Sequence, residues 1–148
     1  MVTVVCVLYG CEQYGPSWVN KLYRGVKRNS CVSFRFLCLT DCDNFDGRFD
    51  HGIEVEMLED ETEGWMNINE IFRPYLGIDR GVFMGLDTII TGDITHILEW
   101  RGDFGLVHSP MAPSCCNAVV CFGRKWAELA ITVTIRVPIT FAVSRVDA

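Results

Sequence analysis

The sequence predicts an α/β domain, an open and mostly parallel sheet with flanking helices, and three consecutive segments carry that prediction. Residues 2–9, Val-Thr-Val-Val-Cys-Val-Leu-Tyr, are a nearly continuous β-branched apolar run that ends at Gly10. A strand covered on both faces has this pattern, whereas a strand with one wet face alternates. From Ser17 to Asn29 the apolar residues Trp18, Leu22 and Val26, joined by Val19 and Tyr23, recur at helical spacing, with Pro16 near the start and Asn29 near the end. Phe34 to Leu39 is a second apolar run, closed by the polar cluster of Thr40, Asp41, Cys42, Asp43 and Asn44. Strand, helix and strand in succession form a βαβ unit, whose strands pair in parallel through a right-handed crossover.

The remaining elements follow in order. Ile53 to Leu58 alternates around Glu54 and Glu56, which predicts a short third strand with one wetter face, and the acidic stretch from Glu59 to Glu63 reads as a solvated turn. Trp65, Ile68 and Phe72 mark a helix that Pro74 stops. Val82 to Leu86 is a strand interrupted by Gly85, and Asp87 follows at its end. Asp93 to Glu99 reads as a short helix, 104–108 as a weak strand and 118–122 as a firmer one. From Ile131 to Val143 apolar residues alternate with Thr132, Thr134, Arg136 and Thr140, which predicts a terminal strand, and Pro138 predicts an edge position for it.

At 148 residues the chain is the length of one domain, and 49% hydrophobic residues against 22% charged predict a compact fold. The formal net charge of −6 disfavours duplex DNA or RNA, so no nucleic-acid partner is expected. Lys21, Arg24, Lys27 and Arg28 recur at helical spacing, and a solvated helix face accounts for them. Met1 to Tyr9 lacks the basic start and cleavage pattern of a signal peptide. The apolar stretch from Leu129 to Val143 is too short and too interrupted to span a bilayer, so no transmembrane segment is expected.

Eight cysteines stand at 6, 11, 31, 38, 42, 115, 116 and 121, without a C-x-x-C pair and without histidine at zinc-finger spacing. Cys6, Cys38 and Cys121 lie in apolar runs and read as small buried hydrophobes, while Pro113 and Ser114 suggest a surface loop for Cys115 and Cys116. The expected compartment is reducing, and the expected location cytoplasmic.

An open parallel sheet binds ligands beyond the carboxyl ends of its strands, near the point where strand order reverses. That rule selects Tyr9 and Gly10, then Asp41 and Asp43, then Asp87 and Thr88. No P-loop, G-x-G-x-x-G turn or nucleophile elbow occurs, so a phosphate ligand there needs a metal or cationic side chains. The three aspartates are the carboxylates placed to hold one; local hydrogen bonding in turns is the other reason for Asp at such positions.

Five segments in a fixed order then carry a resemblance: the strand ending in Tyr9-Gly10; Trp18-Val19-Asn20 with Leu22-Tyr23; Phe34 to Asp41; Gly64-Trp65 running to Phe72-Arg73-Pro74; and Phe83-Met84-Gly85-Leu86-Asp87-Thr88-Ile89-Ile90-Thr91-Gly92. Together they resemble the nucleotide-sugar-binding half of a GT-A fold glycosyltransferase over residues 1–122, with 123–148 a divergent C-terminal segment. The last of them is similar to the family's D-x-D turn. The resemblance implies a nucleotide-diphosphate sugar, possibly a UDP-sugar, as donor, an unknown acceptor, and Mn2+ or Mg2+ bridging the D-x-D carboxylates and the diphosphate. It implies nucleotide binding by Tyr9, Gly10, Asp41 and Leu86, metal binding by Asp87, and a donor-sugar contact at Asn117. Two departures stand out. Gly85 occupies the position of the first Asp of D-x-D, and Asn67, Ile68 and Asn69 stand where many relatives carry a basic residue. Those departures, with the short chain, leave a second expectation beside an active transferase, a truncated or degenerate relative without catalytic activity. A thiol or zinc protein built on the cysteines is a third and more distant reading, because their spacing is wrong.

Overall fold

A computed structural model describes residues 1–10, 13–42, 48–59, 64–108 and 115–126. Among these residues six strands form one sheet. In chain order the elements are β1 (Val2–Leu8), α1 (Pro16–Arg28), β2 (Phe34–Thr40), β3 (Ile53–Met57), a 3₁₀ helix Gly64–Phe72, a second 3₁₀ turn Pro74–Leu76, β4 (Arg80–Met84), α2 (Thr95–Glu99), β5 (Phe104–His108) and β6 (Cys115–Gly123). The sheet order is β3-β2-β1-β4-β6-β5. β3, β2, β1 and β4 pair in parallel, and β6 runs antiparallel to both β4 and β5. The predicted α/β class and mostly parallel sheet are therefore present, with β6 as the reversed strand. Strand order turns about β1, which has β2 on one side and β4 on the other.

The unbroken apolar runs of β1 and β2 have a direct cause, since both faces of these strands are covered. Val2, Val4, Cys6 and Leu8 join Phe36, Cys38, Val82 and Met84 under Val19, Leu22 and Val26 of α1 and Leu98 of α2. The alternate residues Val5, Leu37, Leu39, Phe83, Val120 and Phe122 meet Ile71, Leu76 and Ile78 on the other face. Helix α1 approaches closely at Gly25, where an added Cβ would lie 3.4 Å from Ile90 Cδ1. It ends at Asn29, whose Nδ2 donates to the Gly25 carbonyl oxygen at 2.8 Å, with Lys27 and Arg28 in its last turn. The basic residues of α1 make a solvated face: Lys21 lies over the Trp18 ring at 4.6 Å, and Lys27 over Tyr23 at 5.6 Å. Arg24 forms a two-point contact with Asp50, and its guanidinium holds the Asp50 carboxyl below the usual carboxylate range.

Several sequence expectations shift. The helix expected around Trp65 to Phe72 is a 3₁₀ helix, in which residues three apart align along the axis. The spacing of its inward residues fits that geometry, because the buried Asn67 and Glu70 are three apart, as are the half-buried Ile68 and the buried Ile71. β4 starts and ends two residues earlier than the expected Val82 to Leu86. β6 starts at Cys115, so Cys115 and Cys116 belong to a strand and not to a loop, since pairing of His108 with Cys115 extends the ladder. Cys6 and Cys38 are buried free thiols, as expected, whereas Cys121, also expected to be buried, is half-buried, and desolvation pushes its thiol up to about 11. Cys42 departs from the all-thiol expectation, since it is disulfide-bonded. The expected terminal strand of 131–143 and Asp43 lie outside the described residues.

Candidate nucleotide site

The carboxyl ends of β1, β2 and β4 open on one edge of the sheet, and the start of antiparallel β6 joins them there. At the end of β1, Tyr9 is 39% exposed and Gly10 adopts φ 61°, a left-handed conformation that favours glycine. The Gly10 N–H donates to both carboxylate oxygens of Asp41, at 3.0 Å to Oδ1 and 3.1 Å to Oδ2. Asp41 follows β2 directly, and parallel register brings the two strand exits together: Leu8, two residues before Gly10, pairs with Thr40, one residue before Asp41. This contact is charge-assisted and fixes the path of the chain leaving β1. Replacing Asp41 by Ala is expected to accelerate hydrogen exchange of the Gly10 amide, with Asn at the same position preserving much of its protection. Unchanged Gly10 exchange in Asp41→Ala would contradict this tie.

At the end of β4 the chain makes a tight turn. The Gly85 N–H donates to the Ala118 carbonyl oxygen of β6 at 2.8 Å, and the Thr88 N–H donates to the Gly85 carbonyl oxygen at 3.0 Å. The Asp87 side chain folds back over Gly85. A Cβ at 85 would lie 3.0 Å from Asp87 Oδ1, and 3.7 Å from both the Thr88 hydroxyl and the Ala118 carbonyl oxygen. Asp87 is exposed, and among the described residues its carboxylate has no ion pair. The Thr88 hydroxyl is enclosed and makes no hydrogen bond. Asn117 is exposed beside Ala118, at the same edge. Leu86 is 9% exposed and belongs to the core beneath α1, so its side chain faces away from a ligand and only its main chain remains for one.

Tyr9, Gly10 and Asp41 thus form one half of the edge, and Gly85, Asp87, Thr88 and Asn117 the other. Of the three aspartates Asp43 lies outside the described residues, and Asp41 and Asp87 do not form one ligand set. β1 separates β2 from β4, so their exits lie about 10 Å apart at the usual strand spacing, and Asp41 is committed to Gly10. Among the described residues no group of three or more His, Cys, Asp and Glu side chains converges to hold a metal ion. A divalent ion of the Mg2+ or Mn2+ type takes about six oxygen ligands and ordinarily more than one charged group. One carboxylate and one hydroxyl do not fit a protein-built site for it. Sequence reasoning selects Thr88 but not the Ala118 carbonyl, which depends on the antiparallel pairing of β6.

No helix among the described residues is long and apolar enough to cross a membrane. No family model and no curated protein matches the sequence. Solved structures do match its fold. The glycosyltransferase GlyE of Streptococcus pneumoniae TIGR4, in its apo form, aligns with TM-score 0.61 and 14% identity over 90% of this chain and 36% of its own. A second structure of GlyE gives TM-score 0.63 and 14% identity, with 90% and 38% covered. The galactosyltransferase LgtC, in complex with donor and acceptor sugar analogs, gives TM-score 0.62 and 11% identity, with 85% and 59% covered. The chain therefore spans between about a third and three fifths of the length of these enzymes. It has the mixed α/β fold of the GT-A glycosyltransferases.

Proposed function

We propose that the sheet edge at β1, β2 and β4 binds a nucleotide-diphosphate sugar, with UDP-sugars the first donors to test, and that the chain is a glycosyltransferase-like domain acting toward an unknown acceptor. The observation that carries this reading is the turn after β4. Its free Asp87 carboxylate folds over Gly85, the D-x-D arrangement with one carboxylate missing. Tyr9, the Gly10 turn fixed by Asp41, and the Leu86 main chain supply the nucleotide side, and Asn117 faces the donor sugar. Asp87 would be the one side-chain carboxylate at this turn to hold Mn2+ or Mg2+, an ion that would supply charge neutralisation for the diphosphate. Because one carboxylate supplies little charge, the protein's own hold on such an ion is weak.

A second reading, a degenerate relative that binds the nucleotide without transferring sugar, is favoured by the same Gly85 and by the single carboxylate at the turn. Calorimetric titration of UDP in the presence of manganese, on the parent and on Asp87→Ala, tests binding. The parent is expected to bind more tightly, by about tenfold or more, since Asp87 is the one charged group at the turn. Equal affinity in the two proteins removes Asp87 from the site. Hydrolysis or transfer of a UDP-sugar by the parent then separates an active enzyme from a binding-only relative.

A further inference from the structure

The opposite end of the same strands carries a second cluster of charge. Arg80 opens β4 and pairs with Gly123, the last residue of β6. The Gly123 N–H donates to the Asp103 carbonyl oxygen at 2.9 Å, and a Cβ at 123 would lie 3.8 Å from the Gly102 carbonyl oxygen. The turn that follows α2 is thereby held beside Arg80, and Arg101 lies in it. Arg124 and Lys125 continue the cluster from the end of β6. Two of these four cations are neutralised: Arg124 Nε donates to Asp79 Oδ1 at 2.8 Å, and Lys125 Nζ lies 3.9 Å from Asp103 Oδ2. Arg80 and Arg101 have no carboxylate within ion-pair distance among the described residues.

Arg80 is also undersatisfied. Its Nε and Nη1 are enclosed and make no hydrogen bond, which leaves two donors of a charged group without an acceptor. Burial is the main cause that lowers the Arg80 pKa from its ordinary value; the Arg101 charge adds to it, and Glu99 opposes it. The chain has an overall charge of −6 and so carboxylates in excess, yet among the described residues these two neighbouring guanidiniums are unpaired. A doubly charged oxyanion would offset both unpaired charges at once. Arginine forks match the geometry of phosphate oxygens, and Arg101 is exposed, so an ion can reach it.

The geometry points to an oxyanion site formed by Arg80 and Arg101 at the β4 entrance, taking a small dianion of the phosphate type. It is separate from the candidate nucleotide edge and does not rest on the function proposed there. The test is titration of the full chain with inorganic phosphate at fixed pH and ionic strength, by calorimetry and by thermal unfolding, for the parent, Arg101→Gln and Arg80→Gln. The parent is expected to bind phosphate saturably, one ion per chain, and each substitution to weaken binding about tenfold or more. Arg101 is exposed, so its variant keeps the fold and decides the matter even where Arg80→Gln does not fold. In phosphate-free buffer Arg101→Gln is expected to unfold at a higher temperature than the parent, because it removes a like charge. Absence of saturable binding in the parent, or an unchanged affinity in Arg101→Gln, overturns the proposal. So does displacement of the ion by saturating UDP, which would put it at the other edge.

Discussion

Glu70→Ala is expected to destabilise the fold by about 3–5 kcal/mol, the range for removing one partner of a buried ion pair. Glu70 is 3% exposed, and its Oε2 lies 3.0 Å from Arg73 Nη1 and accepts a hydrogen bond from the Glu59 N–H, also at 3.0 Å. Arg73 is tied further to the end of β3, where its Nη2 donates to the Met57 carbonyl oxygen at 2.9 Å. Removing the carboxylate leaves a largely enclosed guanidinium with Glu59 at 3.6 Å as its remaining ion-pair partner. It also leaves the Glu59 N–H without that acceptor. The cost belongs to the uncompensated cation more than to the contact itself, so the Glu70→Ala/Arg73→Met double variant is expected to recover part of the loss. Thermal unfolding reads the effect as a drop of about 10 °C in the single variant, at the few degrees per kcal/mol usual for this size. A single variant as stable as the parent would show that the pair does not hold the 3₁₀ helix to β3.

Gly81→Ala has the second largest expected effect, and its cause is steric. Gly81 pairs with Phe122 across β4 and β6, and the Phe122 ring lies over it. An added Cβ would come within 2.1 Å of Phe122 Cζ and 2.5 Å of Cε1, distances that no rotation of the methyl group relieves. Phe122 is fully buried and stacks edge-on against Phe72 at 5.0 Å, so the ring has no free space to enter. Overpacking of this kind costs about 1–3 kcal/mol or more. Shortening the obstacle, as in Gly81→Ala/Phe122→Leu, is expected to return part of the stability, because the two sites share one volume. Unfolding in denaturant measures both variants, and equal midpoints for the parent and Gly81→Ala would contradict the packing described.

Both effects rest on features that a linear reading of the sequence handles unevenly. The βαβ unit was legible because its signals agree: Val2 to Tyr9 and Phe34 to Leu39 are continuous apolar runs, and Trp18, Leu22 and Val26 keep helical spacing. The Gly10 and Asp41 pairing was legible in outline, because parallel register places consecutive strand ends side by side. Gly81 gave no local signal. Its reason is a ring 41 positions later in the chain, brought over it by the antiparallel β6. The polar residues Asn67 and Glu70 did not reveal a 3₁₀ helix either, since Trp65, Ile68 and Phe72 satisfy the α-helical spacing equally well. At the candidate site the sequence placed Asp87 and Gly85 together at the end of β4. The distance between the two positions, and the enclosed Thr88 hydroxyl beside them, follow from a turn pinned by the Ala118 carbonyl.

On the function proposed above, the turn after β4 is a diphosphate site that lacks one of two carboxylates, and restoring that carboxylate is the test. Gly85 carries no positive φ, so Asp fits its backbone, and its Cβ would meet the movable end of the Asp87 side chain and no main-chain atom closer than 3.7 Å. Calorimetric binding of UDP with and without manganese, on the parent, Gly85→Asp and Gly85→Asp/Asp87→Ala, is the measurement. Manganese is expected to strengthen UDP binding to Gly85→Asp by about tenfold more than it does for the parent, and the added Asp87→Ala change is expected to abolish the gain. A folded Gly85→Asp protein whose UDP affinity is indifferent to manganese would contradict it.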